Sequence, residues 1–260
     1  MSPPVAPPPA SHGRAEHYSY SVYADPAMAQ QFEQARFGGP IGSLLAETQE
    51  RVLIEFADAG PGCRVVDVGT GTGRAAIALA ARGAEVVGLD ASREMLKVAE
   101  ARAAEKRVAV AFEVGDAHHL PLEDRSADVA VSLRVLMHTP DWRQCIGELC
   151  RVARSRVVLD YPALASAATI QVVGRRLGRL AGRNVEAYRV FRHTAIEREL
   201  ASHGFAVRGV HRQFVLPIAF HKLIGSRVAT ERIEGSLARV GLLRLLGSPV
   251  TLVADRCASS

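Results

Sequence analysis

The stretch that decides the fold reads Val65-Val66-Asp67-Val68-Gly69-Thr70-Gly71-Thr72-Gly73-Arg74. A short valine-rich run predicts a buried parallel strand, and the glycines mark its end. The chain from Arg74 to Arg82 is dominated by Ala, Leu and Ile, which predicts a helix. A second apolar run, 85–90, ends in the carboxylate of Asp90. Strand, glycine loop, helix, strand and acid form the layout of a nucleotide-type cofactor site, in which the acid accepts hydrogen bonds from a ribose diol.

The spacing of the glycines indicates which cofactor this site takes. A dinucleotide fingerprint needs a glycine at position 74, where this chain has Arg74, and the glycines instead fall at 69, 71 and 73. Asp67 precedes the first glycine by two residues. A carboxylate beside the loop repels a pyrophosphate and favours a cationic ligand. The aminoacyl-sulfonium end of S-adenosylmethionine (SAM) is such a ligand.

At these residues the chain resembles class I SAM-dependent methyltransferases, in which D-x-G-x-G-x-G is the first motif. Three later segments match that family in order. A strand-like run, 108–114, precedes Gly115-Asp116-Ala117, the segment 118–122 resembles a Leu-Pro element, and a strand at 127–133 leads into 134–141. With a fifth strand at 156–161, the resemblance covers residues 65–161. Within the family, the chain resembles the type 11 branch, which includes ubiquinone/menaquinone-biosynthesis methyltransferases.

The resemblance implies the α/β fold of that family, a doubly wound, seven-stranded and mostly parallel Rossmann-like sheet with helical lid insertions. Strand seven is expected to run antiparallel between strands five and six. Residues 1–15 are predicted to be a disordered leader and 16–60 an N-terminal helical lid. The second helix of this lid is predicted over 41–56, with one face, at Leu44, Leu45, Thr48, Val52 and Phe56, packed on the sheet. Residues 61–260 are predicted to form the SAM-binding domain, with insertions at 162–188 and 217–247. These insertions and the lid are expected to form a hydrophobic acceptor chamber at the carboxyl edge of the sheet.

The resemblance also implies a set of cofactor-binding positions, of which Asp90 meets the ribose and Asp116 the adenine amine. They are Asp67, Gly69, Thr70, Gly71, Thr72, Asp90, Ala91, Asp116, Ala117 and Ser132. His138 is the candidate catalytic base, since it follows strand four at the same edge. A helix-start histidine that faces solvent or packs under the lid is the equal alternative. His118 is expected to be a loop residue, and Arg36 is a candidate partner for the SAM carboxylate. No metal ligand is predicted.

Composition bears on the partners and the location. The net charge is +5 and the pI is about 9.3, but the basic residues, mostly arginines, are spread along the whole chain. No N-P-P-[YF] motif follows strand four, so nucleic acid is not an expected partner. The four cysteines lack a C-x-x-C pair or metal spacing, which predicts free thiols in a reducing cytoplasm. No apolar run approaches the roughly 20 residues of a membrane span.

The densest basic cluster, at 175–183, is read first as a solvated helix face. An anionic substrate and peripheral contact with acidic lipid stay open as alternatives. The leading functional hypothesis is a SAM-dependent methyltransferase acting on a small hydrophobic molecule. The alternatives are a catalytically silent SAM-binding protein and a nicotinamide-dependent oxidoreductase. The acceptor, the atom methylated and the oligomeric state are not determined by the sequence.

Overall fold

The computed structural model describes residues 37–166 and 188–258. The predicted leader, most of the lid ahead of its second helix, Arg36 and the arginine cluster at 175–183 lie outside the described residues. So does most of the predicted insertion at 162–188. The second lid helix, the cofactor domain and the insertion at 217–247 lie within them.

Seven strands form one sheet in the order β3-β2-β1-β4-β5-β7-β6. The strands are β1 (Arg64–Val68), β2 (Glu85–Asp90), β3 (Ala111–Val114), β4 (Ala127–Ser132), β5 (Ala153–Tyr161), β6 (Phe205–Phe214) and β7 (Ser248–Arg256). Strands β1 to β5 pair in parallel, and β7 runs antiparallel between β5 and β6. The predicted fold class, including the position and direction of strand seven, is therefore confirmed.

Helices cover both faces of this sheet. They are α1 (Gly39–Ala57), α2 (Arg74–Ala80), α3 (Arg93–Lys106), α4 (Trp142–Val152), α5 (His193–Ser202), α6 (Ile218–Ile224), α7 (Arg227–Arg239) and α8 (Leu242–Leu246). Among the helices in 37–166 and 188–258, none combines the length and apolar character of a membrane span. Crossovers from parallel strands through helices leave both faces of the sheet buried, which explains the continuous apolar runs in its central strands.

The core is divided by the sheet into two apolar layers. On one face, α4 buries Ile146 and Leu149 against residues such as Val157 of β5. The Asp141 side chain accepts hydrogen bonds from the first amides of α4 and fixes where that helix begins. On the other face, Leu53 of α1 packs with α2 and with valines of the central strands. This packing fixes the strand ends from which the functional loops emerge.

Helix α1 confirms the predicted helix over 41–56 but buries two faces rather than one. Near its C-terminal end, Phe56 packs against the sheet as predicted, together with Leu53 and Ala57. Near its N-terminal end, Leu44 and Leu45 instead pack with Phe214 at the end of β6. The helix therefore bridges the central sheet and the segment that follows β6.

The predicted insertion at 217–247 forms helices α6, α7 and α8, at the carboxyl edge of the sheet. Its position follows from the register, since Phe214 pairs with Ser248 where β6 ends and β7 begins. Glu234 of α7 holds the insertion together: its carboxylate accepts bonds from the amides of Val215 and Leu216 and contacts His221 Nε2 at 2.7 Å. An Arg227–Glu47 ion pair of 2.8 Å joins the insertion to α1.

Candidate functional site

The glycine loop after β1 is shaped by positive backbone angles. Gly69, Gly71 and Gly73 have φ values of 72°, 56° and 78°, a region that only glycine enters without strain. Gly69 also leaves no room for a side chain, since its Cβ would lie 2.2 Å from Val135 Cγ2. The loop lines the cleft above β1 through Gly69 and Gly71.

Asp67 organises this loop from beneath. Its Oδ2 accepts bonds from Thr70 Oγ1 at 2.6 Å and from the Ala76 amide at 3.1 Å, which ties the loop to the start of α2. The side chain is only 2% exposed. Burial raises the pKa of Asp67 to about 6, and the hydrogen bonds from Thr70 and Ala76 oppose that rise. Its carboxylate acts on a ligand mainly through the loop it shapes.

Asp90 performs the same task from the end of β2. Its Oδ2 accepts a bond from the Gly71 amide at 2.8 Å, and its Oδ1 accepts one from the Ser92 amide at 2.9 Å. Burial raises the pKa of Asp90, and bonds from these amides lower it in turn. Each carboxylate oxygen has a second lone pair. Asp90 can therefore hold the loop and still accept hydrogen bonds from a diol in the cleft.

Asp116 is turned toward its own loop. Its Oδ1 accepts a bond from the His118 amide at 3.0 Å and contacts His118 Nδ1 at 2.8 Å. The Asp141 amide donates to His118 Nε2 at 3.4 Å, so the network assigns the ring proton to Nδ1. Asp116 thus fixes the ring of His118, which borders the cleft, while Asp116 itself lies behind it.

One cleft gathers these loops along the carboxyl ends of β1, β2 and β4 and encloses about 1320 Å³ of space, part of it open to solvent. Most predicted site residues line it, namely Asp67, Gly69, Thr70, Gly71, Thr72, Asp90, Ala91, Ala117 and His138. Of the predicted positions, Asp116 and Ser132 are outside this lining. Ser132 is fully buried, and its Oγ donates to the Val68 carbonyl at 3.0 Å. Its hydroxyl joins β4 to β1 and does not face the cleft.

The connection from β4 to α4 forms the opposite wall. Leu133, Arg134, Val135 and His138 border the cleft there. His138 is 7% exposed, and its ring meets that of Tyr188 edge-on, with centroids 6.0 Å apart. The candidate base is therefore packed against the Tyr188 ring at the cleft wall.

Helix α1 covers the cleft with Gln49, Glu50 and Leu53. Its position over the loop is fixed by Arg74, whose Nη2 donates to the Ala46 carbonyl at 3.3 Å. The guanidinium of Arg74 also lies 4.0 Å from the centre of the Phe37 ring. The described part of the predicted lid therefore borders the cleft.

The expected chamber of three segments is not what the described residues form. None of the residues described in 217–247 lines the cleft. Helices α6 and α7 reach the carboxyl edge, but they pack on α1, where Ile218 contacts the cluster of Leu44, Leu45 and Phe214. The insertion contacts α1, whose residues 49, 50 and 53 border the cleft. The insertion therefore packs on α1 and does not line the cleft.

Comparison with known proteins identifies the family. A model described as a methyltransferase domain matches residues 59–175. The demethylmenaquinone methyltransferase of Thermus thermophilus is 33% identical over 165 residues, which cover 56% of this chain and 75% of that protein. The chain belongs to the SAM-dependent methyltransferase family. The resemblance expected from the four motifs is thereby confirmed at the level of the family.

Other comparisons set the extent of this methyltransferase homology. The methyltransferase GfsG of Streptomyces halstedii is 40% identical over 116 residues, covering 42% of each chain. Several other curated relatives are matched over only 38% to 49% of their length. The magnesium protoporphyrin IX methyltransferase of Synechocystis, solved with bound S-adenosylhomocysteine (SAH), superposes with a TM-score of 0.64 at 20% identity, over 92% of this chain and 98% of that one. That likeness concerns the fold.

Several residues of the methyltransferase cleft were not among the predicted site residues, including Gln49, Glu50, Arg134 and His118. Gln49 and Glu50 belong to a helix whose apolar positions alone were used to orient it. Arg134 was placed only in the connection 134–141 and not among the site residues. His118 was assigned to an ordinary loop, although its position two residues after an aspartate is the spacing of a local side-chain-to-backbone bond.

Proposed function

We propose that this chain transfers the methyl group of SAM to a small hydrophobic molecule in the cleft above β1, β2 and β4. The observation that carries the proposal is the hydrogen-bonded frame of Asp67 and Asp90 around the open glycine backbone. This frame presents loop amides and one carboxylate edge to the same cleft. It fits a nucleoside with an amino-acid chain better than a dinucleotide, because a third glycine is absent at Arg74.

The residues of the cleft would hold such a cofactor by distinct means. Asp90 would accept bonds from the ribose hydroxyls, and the backbone of Gly115 and Ala117 would meet the adenine edge. Asp116 would act through His118, which it orients. The glycine backbone at Gly71, where a Cβ would meet only Met95 Cε at 3.5 Å, would let the amino-acid chain lie close to the loop. SAM supplies the methyl group and the positive charge that makes it reactive.

His138 is proposed as the base for an acceptor that must lose a proton. It lies across the cleft from the glycine loop, where Val135 and Gly69 bring the two walls together. The enclosure by α1 would exclude water and hold the acceptor in line with the methyl group. A carbon acceptor, or one that binds already ionised, would not need this base.

A hydrophobic acceptor is proposed from the walls themselves, since Leu53, Leu133, Val135 and Pro140 border the cleft. The named relatives agree with this class. They include demethylmenaquinone methyltransferases and a structural neighbour described as a geranyl diphosphate C-methyltransferase, at a TM-score of 0.63 and 19% identity over 82% of this chain and 81% of its own.

Calorimetric titration tests the cofactor assignment. SAH should bind the purified protein with one site per chain, and NADH should produce no binding heat. Binding of NADH without binding of SAH would favour the nicotinamide-dependent oxidoreductase.

To separate an enzyme from a catalytically silent SAM-binding protein, tritiated SAM is incubated with a panel of quinols, phenols and prenyl phosphates. Tight SAH binding with no label transferred to any of them would favour the silent protein.

Peripheral membrane contact is proposed for the insertion, whose helices expose the apolar side chains Leu223, Val228, Val240 and Leu245 beside basic residues. An anionic lipid surface complements both features. The protein should sediment with phosphatidylglycerol vesicles and not with phosphatidylcholine vesicles. Leu223→Ser with Leu245→Ser should abolish that difference, and sedimentation unchanged by these substitutions would reject the contact.

A cytoplasmic location is proposed on separate grounds, since all four cysteines are free thiols.

A further inference from the structure

Arg134 occupies an unusual position in the acceptor wall. It lies two residues after the end of β4 and lines the cleft. Its φ is 66°, in the left-handed region that a bulky side chain rarely enters. Its amide donates to Oδ1 of Asp160, a fully buried carboxylate near the end of β5. The backbone of Arg134 is therefore held by the sheet in a conformation that points the following loop across the cleft.

A left-handed backbone is not by itself the sign of a site. Arg107 and Arg125 also have positive φ values, of 57° and 53°. Both are solvent-exposed, Arg107 at the end of α3 and Arg125 in the turn before β4. Arg134 differs because it is half-buried in the cleft wall, and because its Nε is buried without a hydrogen-bond partner among the described residues.

A buried, unpaired N–H of a guanidinium carries a desolvation cost that an anion would remove. The other arginine of the cleft, Arg74, is already engaged by the Phe37 ring and the Ala46 carbonyl. The guanidinium fork matches a carboxylate or a phosphate. Apolar side chains of Leu133 and Val135 flank Arg134 on the same wall. The chemistry of this wall is that of a site for an apolar molecule with one anionic group.

We propose that Arg134 binds a carboxylate or phosphate group of the methyl acceptor, so that the acceptor is an anionic amphiphile. The proposal rests on the proposed function, because it takes the β4–α4 wall as the acceptor side of a methyltransferase cleft. Arg134 and His138 lie on that wall, four residues apart in the sequence. Arg134 would fix the anionic group, while His138 stays beside the reacting atom.

The test uses the SAH-loaded protein and three probes of equal chain length: decyl phosphate, decanoate and decanol. Affinities are measured by calorimetry for the wild type, Arg134→Met and Arg125→Met. The last variant is a matched control, since it makes the same substitution at another left-handed arginine, outside the cleft. Thermal unfolding of each variant checks that it is folded.

At least one of the two anions should bind the wild type about 10-fold more tightly than decanol, as a charge-assisted hydrogen bond predicts. Whether the phosphate or the carboxylate shows this preference identifies the anionic group. Arg134→Met should remove the preference, Arg125→Met should keep it, and Arg134→Lys should retain part of it. Raising the salt concentration should weaken anion binding more than decanol binding.

Three results would overturn the proposal. Equal binding of all probes to the wild type would show that the cleft has no preference for an anionic group. An anion preference that survives Arg134→Met would mean that another residue binds the anion. A roughly 10-fold loss of SAH affinity in Arg134→Met would mean that the arginine binds the carboxylate of the cofactor. Failure of the wild type to bind SAH would overturn the proposed function, whereas SAH binding without anion preference overturns only this proposal.

Discussion

The two walls of the cleft are built in different ways. The cofactor wall, formed by 67–72, 90–92 and 115–118, is a closed network in which buried aspartates accept bonds from neighbouring loop groups. The other wall, which we call the acceptor wall after its proposed role, is formed by 133–140 and by α1 and brings together segments from distant parts of the chain. The first wall is preorganised by local chemistry, and the second depends on tertiary packing. Substitutions in the two walls should therefore separate cofactor affinity from acceptor recognition.

The largest effect is expected for Asp90→Ala in the cofactor wall. Loss of charge-assisted bonds to the ribose should weaken SAH binding by about 2–4 kcal/mol. The variant should also be less stable, because the amides of Gly71 and Ser92 lose their acceptor. Calorimetry and thermal unfolding measure the two effects, with Asp124→Ala as an exposed control. An unchanged dissociation constant for SAH would remove Asp90 from the cofactor site.

The next effect concerns pH and Asp67. Because its pKa is raised from 3.8 to about 6 in the folded protein, the native state binds more protons than the unfolded state between these values. The free energy of unfolding should therefore fall as pH rises from about 4 to about 6, by up to about 3 kcal/mol. Asp67→Asn should flatten this slope, measured by urea unfolding, and Asp124→Asn should not. An equal slope in wild type and Asp67→Asn would contradict the assigned burial.

A smaller effect is expected where the two walls touch, at Gly69. Gly69→Ala adds a methyl group 2.2 Å from Val135 Cγ2 at a φ of 72°. Overpacking and backbone strain should together cost about 2 kcal/mol of stability and lower SAH affinity. The double variant with Val135→Ala should recover the packing part and keep the strain. Gly60→Ala is the control, since its Cβ meets nothing within 4 Å. If Val135→Ala restores nothing, the walls are not coupled there.

The smallest effect on cofactor affinity is expected for His138→Gln. Since His138 lies in the acceptor wall, SAH affinity should stay within about twofold of the wild type, well under the worth of one hydrogen bond. With a hydroxyl acceptor identified from the panel, the rate at neutral pH should fall by about 100-fold or more. His119→Gln, an exposed histidine, serves as the control. A large loss of SAH affinity would assign His138 to the cofactor wall.

The same contrast explains what the sequence predicted. The cofactor wall was recognisable because Asp67, the glycines and Asp90 interact over short distances along the chain, so the motif carries the geometry. Asp116 and Ser132 were placed by motif alone, and their side chains instead support His118 and the Val68 carbonyl. The acceptor wall could not be predicted, because the cover by α1 depends on how Leu44 and Leu45 pack with the end of β6.

The assembly of the lid shows the same limit. The pattern of 217–247 predicted amphipathic helices, and their attachment at the carboxyl edge follows from the strand order. These helices lie away from the cleft because they pack on α1, through the Arg227–Glu47 ion pair and the apolar cluster that Ile218 contacts. Neither contact has a signature in one sequence, because each partner is an ordinary residue of a helix.

A crystal structure of the protein with SAH tests the central claim most directly. The ribose hydroxyls should bind Asp90, and the adenine should lie against Ala117 beside His118. The sulfur should face the wall formed by Val135 and His138. SAH seated in this cleft with its ribose away from Asp90, or bound elsewhere on the protein, would contradict the account.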